Sequence, residues 1–234
     1  MRTYRFLLTL VLAGYLSSTL AQSPRLSGGA GFFRLGYARL HQVGQTLDQF
    51  TPPQLSGIGN DFVYVGGEGY ARLDRFILGG GGYGMARRSL SGPGYHAEPF
   101  GGGGHLFLGR ILVNSRRLWL YPTVGAGVAV VGITQSQQQG QTTRESSVLL
   151  PSLNVQFGVG ADWLVAAFTE DDSYGGLLLG MRAGYQLSPS SSGWRSTGEL
   201  VPPDRPRYAT NGYFVTLTIG AGGFRRLPPR PTSH

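Results

Sequence analysis

The chain has 234 residues, a formal net charge of +8, 39 glycines and no cysteine, which excludes a disulfide framework and any thiolate metal site. All 20 basic residues are arginine, so chemistry that needs a lysine, from the P-loop phosphate grip to Schiff-base or β-lactamase-type catalysis, is excluded too. Glycine this frequent, without a three-residue period, is not collagen; beside β-branched and aromatic residues it suits strands that bend tightly.

The chain opens as a secretory signal, residues 1–21. Arg2 and Arg5 form the positive region, Phe6–Gly14 the apolar core, and Thr19 and Ala21 the small residues of a cleavage site before Gln22. The apolar run is shorter than the ~20 residues of a spanning helix. Cleavage removes two arginines, so +8 becomes +6. A polar lead, residues 22–28, precedes the first predicted strand, Gly29–Leu40. His41–Asn60, with Pro52–Pro53, reads as a long loop. Asp61–Leu73 and Arg75–Arg88 form a tight hairpin around Asp74. Ser89–Gly94 is a Ser/Gly/Pro turn into the fourth strand, Tyr95–Gly109, and Arg110–Arg116 is a short connection. The fifth strand is Arg117–Thr134, followed by a glutamine-rich loop, Gln135–Glu145, expected to be solvated. The sixth, Val148–Val165, is the clearest: Leu149, Pro151, Leu153, Val155, Phe157, Val159, Ala161, Trp163 and Val165 alternate with small or polar residues. Ala166–Ser173 turns into the seventh strand, Tyr174–Leu187. Ser188–Asn211 is the longest loop, Gly212–Phe224 the eighth strand, and residues 225–234 an arginine- and proline-rich tail.

Strands this long exceed the five or six residues usual in globular sheets and match the ~9–11 tilted residues that cross a bilayer. The fold class read from this pattern is all-β: an eight-stranded antiparallel up-and-down transmembrane β-barrel over residues 29–224, behind a cleavable signal peptide. The connections alternate in length, as in barrels with short periplasmic turns and longer extracellular loops. That places Gln45–Gly59, Ser89–Gly94, Gln135–Glu145 and Ser188–Asn211 outside the cell.

An eight-stranded lumen is wide enough only to be filled by side chains. The inward set is expected to include Arg34, Glu68, Arg72, Asn154, Gln156, Asp162, Arg182, Gln186, Thr216 and Thr218, with Glu68 and Asp162 bridging to arginines among Arg34, Arg72 and Arg182. Bulk permeation is not expected. Phe33, Tyr37, Trp119, Tyr121, Trp163, Tyr174, Tyr185 and Tyr213, near strand ends, are expected to form interfacial girdles; strand propensity alone also attracts aromatics.

Other motifs are weaker. Gly79-x-Gly81-x-x-Gly84 matches a dinucleotide fingerprint but is followed by no helical period. His96 and Glu98, with Ser89 and Ser91 close by, supply a base and nucleophiles near the outer rim, although proximity in sequence does not orient them. His105 is expected inward and hydrogen-bonded, and His41 exposed. Neither histidine spacing nor Glu170–Asp172 fits a metal site, and no cofactor is expected. The arginines form no stripe or stacking platform, so no nucleic-acid partner is expected. Arg110, Arg116, Arg117, Arg225, Arg226 and Arg230 fall on the periplasmic side. Arg87 and Arg88 fall at the outer rim, where lipopolysaccharide phosphates accept bidentate bonds.

With eight alternating strands, a signal segment and glycine-rich hairpins such as Ile77–Met85, the chain resembles the small OmpA/OmpX-type, porin-like outer-membrane barrels of Gram-negative bacteria, especially glycine-rich versions of the Bacteroidetes kind. The resemblance covers Gly29–Phe224. It implies residence in the cell outer membrane among its lipids and lipopolysaccharide, insertion by the barrel assembly machinery, and structural, envelope-assembly or interaction roles with an envelope or host-surface protein. Phe224 stands where such barrels end on an aromatic residue, but ten residues follow it, too few for a peptidoglycan-binding domain. The alternative is a lipid A-modifying acyl hydrolase or transferase with a rim site near His96. A secreted, water-soluble β-sandwich or ligand-binding barrel would instead bury the apolar rows.

Overall fold

The computed structural model describes residues 26–51, 57–139, 142–170, 173–189, 193–197 and 208–226. The signal segment and residues 227–234 of the tail lie outside them. In chain order the elements are β1 (Leu26–Leu40), α1 (Val43–Asp48), β2 (Asp61–Leu73), β3 (Phe76–Ala86), the short β4 (Leu90–Gly92), β5 (Tyr95–Arg110), the two-residue β6 (Val113–Asn114), β7 (Leu118–Gln139), β8 (Thr142–Glu170), β9 (Ser173–Leu187), the short β10 (Arg195–Thr197) and β11 (Gly212–Arg226).

The eight long strands pair antiparallel in sequence order, and β11 returns to pair with β1 from Leu26↔Arg226 to Leu40↔Gly212. The sheet is therefore closed. Closure matters because an unpaired backbone group in hydrocarbon costs several kcal/mol. Asp74 takes the left-handed conformation at φ 56° in the two-residue turn between β2 and β3, a geometry aspartate tolerates.

Parity decides which side chains meet lipid. The outward row of β8 is strongly exposed (Leu153 61%, Phe157 50%, Val159 54%, Trp163 52%), and so are Leu106, Leu108, Val124, Val128, Leu217 and Ile219 on neighbouring strands. The polar row between them is buried: Arg34, Glu68, Arg72, Asn154, Asp162, Arg182, Gln186, Thr216 and Thr218. The apolar rows face out and the polar rows face in, which overturns the soluble alternative. Among the described residues no helix is long and apolar enough to span a membrane.

Several sequence-based boundaries change. The glutamine-rich segment is largely solvent-exposed, as expected, but it is not a loop. β7 and β8 run through it as a paired hairpin, Gln135↔Ser146 to Gln139↔Thr142, with β10 laid against Ser147–Leu149. Threonine, serine and glutamine can hold a ladder with no apolar alternation to announce it. Gln135 points inward, accepting a hydrogen bond from Tyr95 and donating to the Phe50 carbonyl. The His41–Asn60 stretch contains α1, whose Val43 and Leu47 join Phe50, Ile58, Trp194 and Tyr208 in an apolar cap over the end of the barrel that carries the β7–β8 extension. The cap is tied down where Asp48 Oδ1 accepts the Gly57 and Ile58 amides at 3.0 and 2.9 Å. The Ser/Gly/Pro turn contains β4, paired with β5. β1 begins within the expected lead, and β11 continues through Arg226 into the expected tail.

The girdle also divides. Phe33, Tyr37, Trp163 and Tyr213 are exposed on the outer surface, and Tyr185 is half-buried. Trp119 and Tyr121 are fully buried, because odd positions of β7 face inward while Leu118, Leu120 and Val124 face out. Trp119 packs edge-on against Phe224, whose ring also lies 5.7 Å from that of Tyr174, and the group closes the end of the barrel opposite the cap. Gly79, Gly81 and Gly84 lie inside β3, so the dinucleotide fingerprint lacks the helix it needs.

Two outcomes follow from this arrangement. Phe157→Arg should lower the folding free energy in liposomes by about 2–4 kcal/mol, as for a cation at mid-bilayer depth, whereas Gln138→Arg on the β7 extension should leave a urea titration nearly unchanged. Tyr208 donates to the His41 carbonyl at 2.7 Å, and burial pushes its hydroxyl well above the usual tyrosine range. The cap therefore gains stability below pH ~10 that is lost as the pH rises further. The fluorescence difference between wild type and Trp194→Phe should change in strong alkali, and Tyr208→Phe should remove that change.

Candidate functional site

The middle of the lumen is a charged layer built from five strands. Arg34 (β1), Glu68 (β2), His105 (β5), Asp162 (β8) and Arg182 (β9) converge there, each at an inward position. Arg182 is the hub: Nη1 donates to Asp162 Oδ1 at 2.6 Å and Nε to Glu68 Oε1 at 3.1 Å. The second oxygen of Glu68 lies 3.3 Å from Arg34 Nη1 and 3.6 Å from His105 Nε2. The second oxygen of Asp162 accepts from Tyr70 at 3.0 Å and Tyr121 at 2.8 Å.

Each guanidinium also lies against aromatic rings. Arg182 stands 5.3 Å from the Tyr121 centroid and 5.5 Å from that of Phe32, and Arg34 lies 5.2 Å from Tyr64 and 5.7 Å from Tyr83. Arginine suits this setting because its planar charge is weakly hydrated and stacks as well as bonds. Two cations and two carboxylates balance, as burial requires. Glycine makes the room: a Cβ on Gly180 would stand 2.4 Å from Thr218 Oγ1 and 2.5 Å from Asp162 Oδ1, and one on Gly160 would meet the Tyr121 ring. These are close approaches that no side chain allows.

Arg34, Glu68, Asp162 and Arg182 come together, but Arg72 does not join them. It sits nearer the short-turn end, donating from Nη2 to Asn114 Oδ1 at 2.8 Å and from Nε to the Asp74 carbonyl at 2.9 Å, with Trp119 5.0 Å from its charge centre. Its register position, opposite Gly28 and Ile77, lies two inward rows from Glu68. His105 was readable as an inward histidine. Of the two tyrosine anchors of Asp162, Tyr70 shares the strand face of Glu68 and Arg72 in the sequence, whereas Tyr121 reads as a girdle residue that only the strand parity marks as internal.

At the cap end Arg87 is half-buried and donates to the Asp61 carbonyl at 2.8 Å, while Arg88 is exposed. Outside the barrel wall, Ser91 Oγ lies 2.8 Å from His96 Nδ1 across the β4–β5 pair. Glu98 is exposed two residues on, and no acidic side chain among the described residues hydrogen-bonds the ring. No group of three or more metal-ligating side chains occurs among the described residues.

No family model and no curated relative matches the chain. Among solved structures it is similar to Ail, the attachment invasion locus protein of Yersinia pestis, at 9% identity and a TM-score of 0.40, covering 86% of this chain and 99% of that one. Neisserial surface protein A is similar at 12% identity and a TM-score of 0.37, with coverage of 86% and 99%. The outer membrane protease OmpT from Escherichia coli follows at 9% identity and 0.29, with coverage of 88% and 96%.

Arg182→Met would leave Glu68 and Asp162 without their shared cation. It should cost about 3–5 kcal/mol of folding free energy in a urea titration. Arg72→Met, which breaks bonds to an amide and a carbonyl but no carboxylate bridge, should cost clearly less.

Proposed function

We propose that the chain is an integral outer-membrane β-barrel, exported by its N-terminal signal and inserted by the barrel assembly machinery, that acts as a sealed structural and interaction element of the envelope. One observation carries this reading: the Arg34–Glu68–Arg182–Asp162 layer crosses the lumen between two apolar plugs. Above it lie Phe62, Met85, Val131, Ile133 and the cap around Trp194; below it lie Ile77, Ile111, Trp119 and Phe224. A solute entering from either side meets packed side chains. What the barrel offers a partner is its outer end, a β7–β8 hairpin stiffened by β10 and a helix-bearing cap, suited to an envelope or host-surface protein. Arg88 is the rim cation available to lipopolysaccharide phosphates, since Arg87 is turned towards the Asp61 carbonyl.

The reading is tested by liposome swelling and by gel migration. The reconstituted protein should admit no sugar the size of arabinose, and a closed barrel should migrate differently before and after boiling in SDS. Swelling at a porin-like rate would defeat it.

A second reading is favoured by the Ser91–His96 hydrogen bond. Serine and imidazole within bonding distance on the exterior, just beyond the apolar band, are the nucleophile and base of acyl transfer, and lipid A acyl esters lie at that depth. Expression of the protein should then change the mass of lipid A, and His96→Ala should restore it; an unchanged mass with the wild-type protein removes this reading.

A further inference from the structure

We propose that the charged layer binds water, and not a halide ion, in two adjoining cavities lined between them by Arg34, His105 and Arg182. This rests on the sealed-lumen reading and goes further, because it assigns the interior a ligand and the His105 ring a tautomer.

A cavity of about 30 Å3 lies against Arg34, Glu68, His105, Gln156 and Arg182. A second, about 20 Å3, shares Arg34, His105 and Gln156 with it. A water needs on the order of 10–15 Å3 and two to four polar partners, so both are large enough. Three buried nitrogens of the lining residues have no hydrogen-bond partner in the protein: Arg34 Nε, Arg182 Nη2 and His105 Nδ1. The two guanidinium nitrogens can only donate, so the missing partner is an acceptor.

Charge decides its identity. Arg34 and Arg182 are already balanced by Glu68 and Asp162. A halide would add an uncompensated negative charge among the buried side chains of Arg34, Glu68, His105 and Arg182, which burial opposes strongly. Water adds none, and its own hydrogens have the Glu68 carboxylate and the Gln156 amide oxygen as acceptors on the same wall.

The geometry also fixes the imidazole. His105 Nε2 lies 3.3 Å from Arg34 Nη1, which is a donor, and 3.6 Å from Glu68 Oε2, beyond hydrogen-bond distance. Nε2 therefore accepts from Arg34, and the ring proton resides on Nδ1, where it meets the bound acceptor. The other groups around the ring are Tyr83 and Phe107, neither of them charged.

The test is nitrogen-15 NMR of the whole protein in lipid nanodiscs, with labelled histidine and arginine. The expected result at neutral pH is a His105 ring protonated on Nδ1 alone. Cross-relaxation should also link that proton and the Arg34 Nε proton to a long-lived water. A ring protonated on Nε2, a doubly protonated ring, or no water cross-peak would overturn the proposal. So would a shift of the Arg34 and Arg182 signals when chloride is exchanged for gluconate, which would identify a halide. Failure of the sealed-lumen reading would register separately, as sugar uptake in the swelling assay.

Discussion

A polypeptide in hydrocarbon must find a hydrogen-bond partner for every backbone N–H and C=O, and this obligation organises the molecule. Closure of β11 onto β1 meets it. Once the ring is closed, each strand has a face towards lipid and a face towards the axis, and alternation does the sorting. The greasy rows of β8 and its neighbours point outward because the solvent there is oil; arginines, acids and amides point inward because they have nowhere else to go.

The interior is then a problem of charge in a narrow space. Arg182 answers it by forking between Asp162 and Glu68, with Arg34 completing the balance. Aromatic rings line both guanidinium groups, and tyrosine hydroxyls take the remaining lone pairs of Asp162. Such a layer stabilises little beyond what its desolvation costs. Its greater consequence is specificity: a one-residue slip in β1, β2, β8 or β9 would turn a buried charged side chain into lipid, so the register is strongly held there.

The two ends solve different problems. At one end short turns bring Trp119, Phe224 and Ile111 together as a compact stopper. At the other end the strands outrun the bilayer, and β7 and β8 continue as a polar hairpin roofed by α1, Trp194 and Tyr208.

The architecture was legible in the sequence because alternation is local: strand count, antiparallel order, the lipid-facing row and most of the lumen set follow from period two and turn residues. The glutamine-rich hairpin was not, since a strand polar on both faces lacks that signal. Trp119 and Tyr121 were misassigned for a related reason, because an aromatic residue near a strand end suits an interface or a plug, and only its phase within the sheet separates the two. Which arginine meets which acid depended on register across strands far apart in the chain. Arg72 and Arg182 look alike in sequence, yet pairing sets one beside Asn114 and the other between two carboxylates. Composition and alternation thus determined that the chain forms a membrane barrel with a polar interior; the stagger of the closed sheet, which no single strand encodes, decided how that interior is wired and sealed.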